Sequence, residues 1–384
     1  MAEPRQASRR PRSTYVGLAV VFVLASSVLG VSAWTHLALF DFQQLEPVAS
    51  DYAWVLQYPW LASRGEWSGR DFFYPRGPLW QLVSWAGSGF AFRSMGATVA
   101  GNELAFGLLA LLSVPLIVLR ALRVRGPQLT AAVALSALVL YPPLEAIRTL
   151  FATLLVLVLY VLPDDSRDGS GASTRQLLRR GLWAGIAAAL TFPFAYERGI
   201  IAVVAVVVMA GVGLLWRLAR RMPIKPELIR AGAFAGALVA VSLLLAGIAE
   251  ALGASYWEYL GKMRSIAGAY TIAMQGYESR YGVGVLLAAA VALLAALTLS
   301  RQRDLASATL IAGALPSAVS ALVRSDPIHI VMGTCVIEGV LILVALRQLE
   351  ARERTLSVAA ALVSVTVLAF WVRLESTRIE QWLT

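Results

Sequence analysis

The chain has one cysteine, Cys335, two histidines and few charges: only 15% of its 384 residues are Asp, Glu, Lys or Arg. A lone cysteine excludes an internal disulfide framework. So few charges, set against 58% hydrophobic residues, exclude both an ordinary soluble domain, where about a quarter of residues are charged, and a disordered chain. No Walker A run, His-x-x-x-His or Cys-x-x-Cys is present, and Gly282-x-Gly284 lacks the third glycine of a dinucleotide fingerprint. A nucleotide-driven pump is therefore not indicated. The net charge of +10 does not point to nucleic acid either, because the basic residues punctuate apolar runs instead of gathering on a polar face.

What the sequence has is long apolar runs. Taking about 20 residues per crossing, the hydrophobic segments predict an all-α, polytopic membrane protein with about 11 transmembrane helices. They cover roughly 15–40, 99–119, 129–143, 144–162, 181–197, 199–216, 231–252, 282–299, 305–322, 330–346 and 355–372. Pro142-Pro143 makes 129–162 either two short helices or one kinked element. Basic flanks stay in the cytoplasm. Arg5, Arg9, Arg10 and Arg12 place the N-terminus there. Alternate connections then hold further clusters: Arg120/Arg123/Arg125, Arg167/Arg175/Arg179/Arg180, Arg217/Arg220/Arg221/Lys225/Arg230, Arg301/Arg303 and Arg347/Arg352/Arg354. An odd number of spans puts the C-terminus outside. The first segment also carries Val31-Ser32-Ala33, which a signal-peptide cleavage site would favour, but its apolar stretch continues to Phe40. The chain reads as a single integral membrane domain, 1–384. Arg- and Ala-rich usage with few lysines suggests a bacterial inner membrane.

Two outer connections are long, 41–98 and 253–281, while 163–180 reads as a flexible Gly/Ser/Asp-rich linker. Chemistry, if any, belongs in the membrane or at its outer face. In the first outer loop, Tyr52, Val55, Leu56, Pro59 and Trp60 follow the spacing of an amphipathic helix lying at the interface. Residues 79–92 are apolar but short, hence interfacial or re-entrant. The loop carries Asp41, Glu46, Asp51, Glu66 and Asp71 with Arg64, Arg70 and Arg76, and Gly65, Gly69 and Tyr74-Pro75-Arg76-Gly77-Pro78 set turns around them. Any one of these charges alone would be an ordinary surface group; together they resemble a shaped loop over a cavity.

The order of a first helix, Asp51-Tyr52 opening an interfacial helix, Ser63-Arg64-Gly65-Glu66-Trp67, then Arg70-Asp71-Phe72-Phe73-Tyr74-Pro75-Arg76-Gly77-Pro78-Leu79 resembles the GT-C superfamily of membrane glycosyltransferases. The branch it is most similar to contains protein O-mannosyltransferases and lipid A aminoarabinose transferases. The resemblance covers about 40 residues and is topological elsewhere. It implies a sugar taken from a polyprenyl-phosphate donor and passed, with inversion, to a glycan, lipid or protein acceptor. Asp51 matches the family's catalytic acid, although Tyr52 follows it where Glu is frequent. The C-terminal soluble domain of many members has no counterpart here.

Ionisable residues at membrane depth are costly and worth weighing as functional. Glu197 and Arg198 fall in Tyr196-Glu197-Arg198-Gly199, read as the turn between two helices, either a plain hairpin with solvated charges or a phosphate site. Arg324, Asp326 and His329 lie in a second outer turn, where Asp-Pro also suits a helix cap. Arg198 and Arg324 are the leading phosphate cations, with Arg76, Glu197, Asp326 and His329 as further substrate contacts. Asp71 would orient the acceptor or bind a divalent cation (Mg or Mn); no cofactor is otherwise implied, and a metal needs more oxygen ligands than these. Glu145 and Arg148 flank the double proline, and Glu103, Glu250 and Glu338 lie within spans. His36 reads as an interfacial cap. In 253–281, Lys262, Arg264 and Arg280 stand among aromatics, the pattern of an anchored interfacial helix or of a phosphate or sugar contact. The competing functional classes are a secondary transporter or lipid flippase, a ligase or polymerase of lipid-linked glycans, and a non-catalytic assembly subunit. The transporter class calls for an internal repeat and mid-depth charges, of which only Glu338 is an instance.

Overall fold

The computed structural model describes residues 49–73, 76–90, 97–98, 101–102, 104–105, 144–161, 172–273, 305–319, 336–337, 339–341 and 343–344. The described part is helical: α1 (Ala49–Ser63), α2 (Pro78–Gly87), α3 (Leu144–Val161), α4 (Thr174–Thr191), α5 (Tyr196–Ala219), α6 (Lys225–Ala251), α7 (Tyr256–Ala273) and α8 (Leu305–Ala314), which tightens into a 3-10 turn at Leu315–Ala318 around Pro316. No strand occurs among the described residues, only two isolated bridges. The expected spans at 15–40, 129–143, 282–299 and 355–372 lie outside them.

Two helices, α5 with 24 residues and α6 with 27, are long and apolar enough to cross a membrane. At 1.5 Å per residue they reach about 36 and 40 Å, more than a hydrocarbon core needs. Their outward faces are apolar too, including Val207, Leu215, Val239, Leu243 and Leu244. Water would penalise that surface and lipid would not.

Helix α4 meets α6 through small residues. A side chain at Gly181 or Gly185 would collide with the Arg230 or Phe234 carbonyl oxygen, and the Cβ atoms of Ala233 and Ala237 lie 2.7 and 2.8 Å from where it would stand. This close approach is the usual route to helix association in lipid, where apolar side chains alone gain little by leaving the solvent. Gly313 of α8 gives the same room to Met209 of α5, whose sulfur lies 2.8 Å from the Cβ site.

The boundaries differ from expectation at α4. Ser173 and Gln176 form a capping box, each side chain paired with the other's backbone N–H, so residues 174–180 are helical and do not belong to a linker. Reciprocal capping satisfies two amides at the helix start, which outweighs the Gly/Ser-rich composition just before it. The far end stops at Thr191 because Pro193 cannot continue a helix. The turn is therefore Phe192–Ala195, and Tyr196, Glu197, Arg198 and Gly199 form the first turn of α5.

At the opposite end of α5 and α6 the basic residues turn inward. Arg217 Nε sits 3.1 Å from Glu227 Oε1, and Arg230 pairs with Glu227 Oε2. Arg217 also donates to the Pro223 carbonyl at 3.4 Å, and Arg230 donates to the Tyr160 carbonyl at 3.3 Å while its guanidinium lies 4.4 Å from the Tyr160 ring centre. All three charged groups are buried. Arg217 and Arg230, expected in a cytoplasmic basic cluster, clasp α3, α5 and α6 together.

Candidate active site

The elements expected on the outer side gather at the other end of the bundle. Residues 64–73 and 76–77 fold back from α1 under the control of a few polar atoms. Gln81 of α2, fully buried, accepts the Ser68 N–H at 2.7 Å and donates to the Glu66 carbonyl at 2.8 Å. Tyr58 of α1 donates its hydroxyl to the Arg76 carbonyl at 3.0 Å. Gly65 and Gly69 take left-handed φ of 78° and 91°, which side chains disfavour.

This loop is pinned to the α4–α5 turn. Arg76 pairs with Ala195 in an antiparallel bridge, Gly77 N–H donates to Phe194 O at 3.2 Å, and Leu79 N–H donates to Pro193 O at 2.9 Å. Three residues beyond Ala195 comes Arg198, so the pairing docks the backbone of Arg76 at the start of α5, the helix turn that carries Glu197 and Arg198. Arg76 and Arg198 are both buried, at 9% and 2% exposure. Arg198 Nε lies 3.8 Å from Glu197 Oε1, and the Arg76 guanidinium stacks 5.2 Å from the Trp80 ring centre.

Helix α7 packs on this loop and on the start of α5. Tyr259 lays its ring against Gly69, 3.6 Å from that glycine's Cβ site, and packs with Tyr196 and Met263. Lys262 stands 5.9 Å from the Phe73 ring centre. Burial pushes the Tyr259 hydroxyl well above the ordinary tyrosine range, and the Glu197 charge adds to this. Helix α7, in the segment expected as the second outer connection, thus packs on the 64–77 loop.

The expected residues fare differently. Asp51 occupies the first turn of α1, seven residues or about 10 Å along the helix axis from Tyr58; its side chain lies outside the description. Asp71 is tied down: its Oδ2 accepts from Arg70 Nε at 2.9 Å and from the Trp67 N–H at 2.7 Å. The Arg70 contact, then the Trp67 amide, hold its carboxyl below the usual aspartate range. So placed, Asp71 staples the loop, and a low pKa makes it a weak base. Arg324, Asp326 and His329 lie outside the described residues, as do His36, Glu103, Arg280 and Glu338. Glu145 and Arg148 stand near the start of α3, without described side chains, and Glu250 is exposed at the end of α6. Among the described residues no group of three or more His, Cys, Asp or Glu could hold a metal ion.

On α1, Trp60 is 41% exposed with Arg64 stacked 4.8 Å from its ring centre, whereas Tyr58, Leu61 and Ala62 are buried. Sequence reasoning missed Tyr58, Gln81 and Tyr259. Gln81 left one signal, a lone amide within the apolar run PLWQLVSWAG. Comparisons with protein-family models, curated proteins and solved structures found no match for the chain.

Proposed function

We propose that the chain is an integral membrane glycosyltransferase. In this reading it takes a sugar from a polyprenyl-phosphate donor at the outer face of a bacterial inner membrane and passes it, with inversion, to a glycan, lipid or protein acceptor. The observation that carries the reading is the Arg76–Ala195 bridge, which docks a loop whose sequence resembles the GT-C first outer loop on the start of α5, where Glu197 and Arg198 lie.

The chemistry asks little of the protein. A glycosyl phosphate already carries a good leaving group. The acceptor hydroxyl or amine attacks the anomeric carbon from the side opposite the phosphate, a new bond forms there, and the carbon–oxygen bond to phosphate breaks with its electron pair leaving on the phosphate. Asp51 takes the acceptor's proton as general base. Arg198 and Arg76, desolvated and already in place, stabilise the charge that builds on the leaving phosphate, an effect strongest where water is excluded. Arg324, Asp326 and His329 belong to the same outer face in this scheme. No step runs through a metal ion. The prenyl chain stays among helices in the bilayer, which gives a reason for housing sugar chemistry in so apolar a chain.

The test is release of polyprenyl monophosphate from a panel of polyprenyl-phosphate sugars by the purified protein in liposomes, with candidate acceptors supplied. Release dependent on both protein and acceptor supports the reading. A protein that instead moves intact lipid-linked sugar between leaflets without releasing phosphate is a flippase, and the reading falls.

A further inference from the structure

The basic residues at the Glu227 end of the bundle fall into two sets. Arg217 and Arg230 are buried against Glu227, and Arg220 lies over the Trp216 ring, 4.2 Å from its centre. Arg175, Arg179, Arg221 and Lys225 are exposed, and none of their side chains has a hydrogen-bond or ion-pair partner among the described residues.

Helix packing brings these four to one level. Gly181 and Gly185 of α4 meet Arg230 and Phe234 of α6 in the same order, so the two helices run parallel and Arg175 stands near the start of α6 at Lys225. Helix α5 runs the other way, with Gly213 and Arg217 against Glu227, and its end reaches the same level at Arg221. Within 172–183 and 213–230 the one carboxylate is Glu227, already engaged by the buried pair.

Apolar side chains lie just inside this basic rim. On α4, Arg175, Leu178, Arg179 and Leu182 form one exposed stripe at i, i+3, i+4 and i+7, with Trp183 beside it. Leu218 of α5 and Leu228 of α6 are exposed as well. Cationic heads beyond leucines, with a tryptophan at the boundary, follow the order in which a bilayer presents headgroups and acyl chains. Arg221 adds an independent sign. The end of α5 closes with Arg221 N–H donating to Leu218 O at 3.1 Å and Met222 N–H donating to Arg217 O at 2.8 Å, a closure that usually has glycine at the place of Arg221. Arg221 holds the left-handed φ of 54°, so a cation is kept where the backbone alone calls for glycine.

We propose that this rim binds the phosphates of anionic phospholipids in the leaflet at that end of α5 and α6, the cytoplasmic leaflet in the orientation expected from the sequence. The four free cations attract the headgroups while the leucines and Trp183 meet the chains below them. The rim lies at the opposite end of α5 from Arg198, and the inference does not rest on the transferase reading.

The experiment places the full chain in phosphatidylcholine vesicles with traces of spin-labelled phosphatidylglycerol or spin-labelled phosphatidylcholine. Electron spin resonance then measures how strongly each lipid is drawn to the protein. Wild type should prefer phosphatidylglycerol about fivefold or more at low salt, the size of one basic residue near a charged membrane surface. The preference should fade toward about 1 M salt, where charges are screened beyond about 3 Å. Arg175→Gln, Arg179→Gln, Arg221→Gln and Lys225→Gln together should remove most of it, while Arg64→Gln at the other end leaves it unchanged. Arg221→Gly alone should raise the unfolding temperature, because glycine suits the left-handed position, and still weaken the preference; this separates lipid contact from folding. A fourfold variant that keeps the wild-type preference overturns the proposal, and so does wild type without one. If a preference arises only after Asp164→Asn, Asp165→Asn and Asp168→Asn, the acids of the preceding segment occupy the rim and lipid does not. Wild type that shows no lipid preference but binds polyglutamate through the four residues assigns the rim to an acidic protein and also overturns the proposal.

Discussion

Adding one methyl group at Gly77 separates two parts of the candidate site. The Cβ of Gly77→Ala would collide with the Pro193 carbonyl oxygen and stand 2.7 Å from Pro193 C and 2.6 Å from the Tyr259 hydroxyl. Pro193 is backbone and cannot swing aside, so the loop must lift. Lifting it breaks the bonds from Gly77 N–H to Phe194 O and from Leu79 N–H to Pro193 O, each worth about 1 kcal/mol net. Relieving the overlap costs a further 1–3 kcal/mol or so, for a total of about 3–5 kcal/mol. Thermal unfolding of the purified protein would report the loss, and release of polyprenyl monophosphate would fall because Arg76 is displaced from the start of α5. Gly65→Ala is the control: its Cβ meets nothing within 4 Å, and only its left-handed φ is penalised, at about 1–2 kcal/mol. A Gly77→Ala protein as stable and as active as wild type would refute the docking of the first loop on the α4–α5 turn.

Glu227→Gln leaves two buried guanidinium groups facing a neutral amide and should destabilise the bundle by about 3–5 kcal/mol, read as a lower unfolding temperature without change in the affinity of the surviving folded protein for donor. Gly185→Leu should push α4 away from α6, detected as lost cross-linking between cysteines placed at exposed positions on the two helices; retained cross-linking and stability would contradict the small-residue seam. Asp71 has a folded pKa below its unfolded one, so its ionised form contributes stability above the unfolded pKa, near 3.9, and that contribution disappears as pH falls through the lower folded value. Asp71→Asn should therefore loosen the 64–77 loop to proteolysis at neutral pH, and the difference from wild type should vanish only in acid.

How much of this was legible depends on the range of the signal. The two helices long and apolar enough to cross a membrane, α5 and α6, announce themselves as apolar runs, and a helix at α1 follows from the spacing of its aromatics. The start of α4 was written in Ser173 and Gln176 but outweighed by the Gly/Ser composition of the preceding segment. Arg217 and Arg230 show the limit of reading charge by position: proximity to a helix end predicts the cytoplasmic flank, while only the fold tells that Glu227 turns them inward. Glu197 and Arg198 were singled out correctly as charged residues at a helix junction, yet placed in a turn that Pro193 shifts toward the N-terminus. The approach of Tyr259 to Gly77 joins distant parts of the chain and leaves no local pattern. The role given to Asp51 rests on resemblance alone, since nothing in its spacing separates a base from a helix-start carboxylate.

The most direct measurement compares Asp51→Asn with Asp71→Asn and wild type in acceptor-dependent release of polyprenyl monophosphate. A lost general base costs on the order of 10²–10⁴-fold. The account predicts that loss for Asp51→Asn in a protein that still folds and binds donor, with Asp71→Asn losing far less. Full turnover by Asp51→Asn would contradict it.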